Sequence, residues 1–524
     1  MTEVDVITQE VIRARLDGIV REMQGAVLRT GYSTIIRESY DFSCAILDRE
    51  GNTVGQYAGL PVHLGAYPEC VKGVLRFYSY DEMEEGDCFL TNHPYFSGCP
   101  HPTDMVVVAP IFHAGNLVAF CASMGHKSDI GGQSPGSRNA AARDLFGEGL
   151  AILPVKFLSR RTPVKEVELF LRGNSRTPEL VLGDLLAQAG ALWSVGSQRL
   201  KSVMDRYGQD VTLHAFEQIA LKTEERIRRE IATWPDGVYE AEALIDNLPA
   251  TDTCTRIHVA VTKQADRLVL DFSGCGDQVE GPINVRPPFI NGTSYFCTIA
   301  MIDANMPNNY GLARAIECRY REGSILNPVF PAPVGFYSQT VPVVEDVILA
   351  ALSQAAGRPR VAQAANGGLV TIGSSDARSG RPYVQYEILT AGTRSFAGGD
   401  GYSGTGQGAL SGGARLASVE ILETEFDVQM LQFRVIPDSG GAGTHRGGMG
   451  LRRDYLIKNP SVFSGGTNRH MAPPRGVEGG ADGRPGRTVV NPDTPNEKVY
   501  LGRVSNVMLA PGDVLRMETG GAGG

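Results

Sequence analysis

Along the first thirty residues, apolar side chains recur at helical spacing. Val4, Ile7, Val11, Ile12, Leu16, Ile19, Val20, Met23, Val27 and Leu28 predict a helix over 4–29. Glu10, Arg13, Arg15, Asp17, Arg21 and Glu22 fall largely on its other face. The period then drops to two. Residues 43–48 and 53–56 predict a hairpin about Arg49-Glu50-Gly51-Asn52, and His63 opens a predicted helix at 64–78. Runs at 105–112 and 117–123 predict a second hairpin, joined by the four-residue loop His113-Ala114-Gly115-Asn116. Helical spacing returns from Thr162 to Gly237, with stops at Gly208 and at Pro235-Asp236-Gly237. Strands follow over 238–274, then helices at 289–304 and 341–356 on either side of the proline-rich turn 327–333. From about 361 onward the chain is β-rich and full of glycine. The expected class is α/β: mixed sheets with packed helices, a helical middle segment and a Gly-rich, β-dominated C-terminal region. The expected divisions are 1–160, 161–236, 237–360 and 361–524.

Composition narrows the classes of function. A chain of 524 residues that is 42% hydrophobic has ample core for several domains. A net charge of −9 without any Lys/Arg run argues against nucleic acid as a partner. No apolar window is expected to reach the roughly 18 residues of a membrane span, and the charged start MTEVDVITQE is not a secretory signal. Nine cysteines without a C-x-x-C pair fit free thiols in a reducing cytoplasm. Glycine, at 63 residues, is about twice its usual share, which implies turns and close backbone approaches.

The second hairpin carries the candidate chemistry. Its register brings Asp104 opposite His126, with His101 one step before Asp104. Two imidazoles and a carboxylate at the end of a rigid ribbon are the donor set a divalent ion needs, although His-x-x-Asp is also common turn chemistry. Cys99, two residues from His101, reads as a small buried thiol. Gly132-Gln133-Ser134-Pro135-Gly136 has the spacing of a nucleophile elbow. It fails as one, because Pro135 has no N–H to offer an oxyanion. Gly441–Gly447 has the wrong spacing for a dinucleotide loop and precedes a predicted strand. No G-x-x-x-x-G-K-[ST] occurs in the chain.

The stretches RTGYSTIIRESYDFSCAILDREGNTVGQ (29–56), GLPVHLGAYP (59–68), HPTD (101–104), GHKSDIGGQSPGS (125–137), EGSILNPVFPAPV (322–334) and PDSGGAGTHRGGMGLRR (437–453) resemble the B subunits of ATP-dependent hydantoinases. That family also includes 5-oxoprolinase, caprolactamase and subunits of acetone and acetophenone carboxylases. The resemblance implies one divalent ion (zinc, manganese or iron) held by His101, Asp104, His126 and Asp41. It implies a ligand or substrate contact for His63, and Asp129 stands close enough in sequence to orient a ligand or act as a base. It implies a hetero-oligomer in which an actin-like A subunit binds ATP and magnesium and phosphorylates a cyclic amide that this chain helps to open. A ketone carboxylase subunit is the alternative that the same resemblance allows; a metal-stabilised scaffold is the non-enzymatic one. Three departures stand out. His93 occupies a position where Asn-Asp-Pro is the family-like pattern and reads as lining the site. Residues 408–418 lack a polar, Thr/His/Asn-rich run. The sequence ends at METGGAGG, where relatives continue, which implies a short member or a shortened sequence.

Overall fold

The computed structural model describes residues 5–57, 59–405, 408–410 and 412–524. Its first helix, Val6–Thr30, starts where the Asp5 side chain accepts from the Thr8 N–H, and it buries Ile12, Leu16, Ile19, Val20, Met23 and Val27. The stripe packs on a seven-stranded antiparallel sheet. Its strands are β1 (Phe42–Asp48), β2 (Thr53–Gln56), β3 (Cys88–Thr91), β4 (Asp104–His113), β5 (Asn116–His126), β6 (Val155–Ser159) and β7 (Thr162–Pro163), in the order β2-β1-β5-β4-β3-β6-β7. Alternation splits the central strands between two cores. Met105, Val107, Ala109, Ala119 and Cys121 face the helical layer. Val106, Val108, Phe120, Ala122 and Met124 face the opposite side.

The β4–β5 turn is tighter than the sequence suggests. Ala114 (φ 49°) and Gly115 (φ 83°) make a two-residue connection, a left-handed pair that matches strand twist. A bulge then shifts the register, since Phe112 faces Leu117 but Ile111 faces Ala119. That one-residue step decides the site. Without it Asp104 would pair with Gly125, and His126 would point to the other face of the sheet. With it, Asp104 pairs with His126.

The helical middle segment forms the layer over the first core: Lys165–Gly173, Pro178–Ala191, Gln198–Tyr207 and Gln209–Ile231. The run Pro178–Tyr207 corrects one expectation, because it is long and apolar enough to cross a membrane, with a mean hydropathy of 1.2. However, 72% of that window is buried inside the protein. A helix sandwiched between the first helix and the sheet is apolar on most sides for that reason. The helix expected at 64–78 is also split. A 3-10 turn, Pro61–Gly65, precedes the helix Tyr67–Phe77, with Pro68 restarting it.

The other face of the main sheet is closed by a second unit. Strands β8 (Gly237–Asp246), β9 (Cys254–Gln264), β10 (Arg267–Asp271) and β11 (Ile316–Arg319) form a mixed sheet in which only β10–β11 is parallel. It packs with the buried helices Pro287–Ile302 and Val341–Ala355, whose residues join the same core as Val106 and Phe120. Two antiparallel sheets complete the chain. One contains β12 (Gly368–Ser375) and β13 (Pro382–Leu389), which reach back to the main sheet's site-bearing end. The glycine-rich segments run backbone against backbone. The Gly441 N–H donates to the Ala522 carbonyl and the Ala522 N–H to the Gly448 carbonyl. A Cβ on Gly447 would lie 2.0 Å from the Ala522 oxygen, so only glycine fits there.

Candidate metal centre

The centre of the site is His126, the last residue of β5, flanked by both neighbouring strands. On the β1 side its N–H donates to the Asp41 carbonyl, one position before the Phe42–Gly125 pair. On the β4 side Asp104 stands directly opposite. His101 lies in the turn that feeds β4, where its carbonyl accepts from the Asp104 N–H. Strand pairing and one turn thus gather the His101, Asp104 and His126 side chains, while Asp41 lines the same cavity outside that cluster. His101, Asp104 and His126 are all under 5% exposed.

Asp104 bridges the two imidazoles. Its Oδ1 lies 2.8 Å from His126 Nδ1 and its Oδ2 lies 3.2 Å from His101 Nε2. One donor atom from each of the three residues lies within 4.8 Å of the others. With Nδ1 donating to Asp104, His126 Nε2 carries a lone pair, and that atom is buried with no hydrogen-bond partner. A buried nitrogen in that state costs free energy unless something accepts its lone pair. A metal ion does so, which is the sense in which these residues fit one.

Charge points the same way. Burial pushes the Asp41 carboxyl up to about 7, and the Asp104 charge adds to the effect. Burial also opposes ionisation of Asp104, but the two imidazoles beside it outweigh burial and hold its carboxyl below the usual range. Burial lowers His101 and takes His126 down to about 3, so both rings are neutral at pH 7. Neutral imidazoles beside two crowded carboxylates form a site that gains from a cation.

The cavity around these groups has a volume of about 30 Å³, room for an ion and about two waters. A lactam ring does not fit it with the walls as they stand. Asp41, His101, Asp104 and His126 line it together with Arg138, Tyr337, Ser338, Gln339, Tyr386 and Leu410, and Arg138 Nη1 comes within 3.3 Å of His101 Nδ1. Sequence reasoning missed this second group. Arg138 donates through Nη2 to the Tyr386 hydroxyl at 2.9 Å and through Nη1 to the Gly335 carbonyl. His101 Nδ1 is 3.2 Å from that same carbonyl. Tyr386, on β13, stacks on His126 with ring centroids 4.3 Å apart. Arg138 was visible as the one charge ending the Gly/Ser run 131–137. Tyr386 and Gln339 come from far along the chain without a local signal.

The remaining candidates lie outside this cavity. His63 is buried in the 3-10 turn, its Nδ1 2.8 Å from the Ser43 hydroxyl, and burial lowers it to about 4. Asp129 does not join the cluster. Its Oδ1 accepts from Gly131 N and Arg176 N, and its Oδ2 from Gly136 N and Arg176 Nη1, at 2.8–3.0 Å. Two of these bonds hold the glycine loop and two hold Arg176; in that loop Gly136 (φ 68°) backs onto Thr371 so closely that a Cβ would come within 2.4 Å. His93 caps the short helix Pro94–Ser97, accepting from the Tyr95 and Phe96 N–H groups, and does not line the cavity. Cys99 is a fully buried thiol whose ionisation burial strongly disfavours. Of the 408–418 segment, Leu410 reaches the cavity and residue 411 lies outside the described residues. Glu148 acts at one remove. It accepts from the Val334 and Gly335 N–H groups and so fixes the carbonyl that meets His101 and Arg138. Burial pushes its carboxyl up to about 8.

Known proteins share this arrangement of sequence and fold. An uncharacterized protein of Methanocaldococcus jannaschii is 31% identical over 99% of this chain and 90% of its own length. The B subunit of a putative D-/L-hydantoinase from a Pseudomonas strain is 29% identical over 96% of this chain and 86% of its own. The crystal structure of the ATP-dependent caprolactamase from Pseudomonas jessenii superposes with a TM-score of 0.90 at 25% identity, covering 99% of this chain and 91% of that one. The family profile described as hydantoinase B/oxoprolinase matches residues 5–524, which makes this chain a member of the hydantoinase B/oxoprolinase family.

Proposed function

We propose that this chain is the metal-holding subunit of an ATP-dependent amidohydrolase that opens a cyclic amide or imide of the hydantoin, lactam or 5-oxoproline type. One observation carries the reading: the buried His101–Asp104–His126 cluster with an unpartnered His126 Nε2, and Asp41 alongside. His101, His126, Asp104 and Asp41 would hold one zinc, manganese or iron ion. When bound, such an ion lowers the pKa of a water and stabilises charge developing on an attacked carbonyl. Asp104 fixes the tautomer of His126 by accepting from Nδ1, which turns Nε2 outward as a ligand. Tyr386 and Tyr337 pack on the two imidazoles and exclude bulk water from them. Asp41, whose carboxyl burial pushes up to about 7, would be held as a carboxylate by the cation it helps to bind.

Activation falls to a partner, since the chain has no phosphate-binding loop and its relatives carry subunit names. An actin-like ATPase would use ATP and magnesium to phosphorylate the amide carbonyl oxygen. Water then adds to the activated carbon and the ring C–N bond breaks, leaving an amine and an acyl phosphate, which a second water cleaves to carboxylate and inorganic phosphate. The helical layer supplies part of the association surface, where Leu169 and Phe170 stand exposed. Nine free cysteines are in keeping with a reducing cytoplasm as the place of work.

The test is reconstitution with the partner, ATP and magnesium in oxygen-18 water, offering hydantoin, 5-oxoproline and caprolactam. The reading expects heavy oxygen in the carboxylate of an opened ring, and a sharp loss in Asp104→Ala. Labelled bicarbonate entering a ketone, with no ring opened, would replace it by the carboxylase.

A further inference from the structure

The residues lining the cavity are of two kinds. Some carry acceptors and lone pairs: Asp41, Asp104, His101 and His126. Others carry donors, and three of those have a buried donor atom with no partner. They are Arg138 Nε, Ser338 Oγ and Gln339 Nε2. Arg138 and Gln339 are 2% and 3% exposed. Both are already held in place through their other atoms, which fixes where the spare donors lie. Arg138 is fastened by Gly335 and Tyr386, and Gln339 Oε1 accepts from Arg503 Nη1 at 2.9 Å.

Buried donors cost free energy when left unpaired, and a fold that leaves three on residues lining one cavity favours an occupant that brings acceptors. Anionic oxygen is that occupant. It accepts without donating, and hydrogen bonds from a guanidinium to it are the strong, charge-assisted kind. An oxygen takes about one water's place, which the cavity volume of about 30 Å³ allows beside an ion.

We propose that Arg138, Ser338 and Gln339 form an oxyanion subsite that receives a phosphoryl or carboxylate oxygen of the substrate beside the metal ligands. This rests on the amidohydrolase reading for the identity of the substrate, but not for the binding itself. The subsite would hold the reacting group within reach of those ligands, since Arg138 Nη1 already lies 3.3 Å from His101 Nδ1. Arg138 and the bound ion together offset the two carboxylates.

The probes are inorganic phosphate and acetate, titrated calorimetrically into the full chain, metal-free and zinc-loaded, with metal content measured on every sample. The subsite predicts one phosphate per chain, bound at least about tenfold more weakly by Arg138→Gln and about threefold more weakly by Ser338→Ala, with zinc retained in both. Ser338 Oγ has no partner, so Ser338→Ala should fold unchanged and decides the matter if Arg138→Gln does not fold. Phosphate bound at least tenfold more tightly than acetate assigns the oxygen to a phosphoryl group; comparable binding assigns it to a carboxylate. Unchanged phosphate affinity in both variants, or no binding by zinc-loaded protein, overturns the subsite. If no zinc, manganese or iron is taken up at all, the amidohydrolase reading fails. Phosphate binding that is lost in metal-free Arg138→Gln would still uphold the subsite.

Discussion

Asp129 separates holding the site together from taking part in it. Its carboxylate is fully buried and accepts four hydrogen bonds, two at each oxygen. Asp129→Asn keeps the shape but turns one oxygen into an NH₂. The amide would aim that NH₂ at the Oδ2 position, because Arg176, 35% exposed there, can swing its Nη1 to water. Gly136 N–H is then the single buried donor left facing another donor. An orphaned buried N–H costs about 1–3 kcal/mol, and the half-exposed Arg176 pair adds at most about 1 kcal/mol. The loop 130–137 should therefore lose about 1–4 kcal/mol of local stability. At about 1.4 kcal/mol per decade, its amides should exchange with solvent about five- to seven-hundred-fold faster. Hydrogen exchange read by mass spectrometry on that loop checks it, with metal content measured in parallel. The loop anchor predicts faster exchange and unchanged metal content. Unchanged exchange together with lost metal or lost activity would refute this reasoning and return Asp129 to the chemistry.

Two further outcomes follow from the same geometry. Glu148 has its carboxyl raised from its ordinary value to about 8, so the folded state holds the proton more tightly than the unfolded chain. Stability contributed there is present below about pH 4.5 and is lost as pH rises to 8. The stability of the protein relative to Glu148→Gln, which cannot ionise, should fall by a few kcal/mol over that window in urea titrations; a flat or rising difference contradicts it. Purified alone, the chain should hydrolyse no ATP with any hydantoin or lactam, and robust turnover would remove the need for a partner.

Much of the site was legible because hairpin register is local. The runs at 105–112 and 117–123 and their turn were enough to set Asp104 against His126. The bulge between Ile111 and Phe112 supplied the one-residue offset that the short turn would otherwise have removed. Asp41 followed from resemblance, and pairing of β1 with β5 places it beside His126. The rest of the cavity lining was not legible. Arg138, Gln339 and Tyr386 meet through contacts about 50 to 250 residues apart, and nothing in local spacing records them. Asp129 misled for a related reason. Three residues from His126 is near in sequence, but the turn after β5 sends its carboxylate into the glycine loop instead.

The central claim is that His101, Asp104 and His126, with Asp41, hold one divalent ion. Elemental analysis of protein purified without added metal, and again after chelation and reloading, tests it most directly when set beside His101→Ala/His126→Ala. The prediction is about one zinc, manganese or iron ion per chain in the unaltered protein and close to none in the double variant, with both folded by circular dichroism. Equal metal content in the two would contradict it.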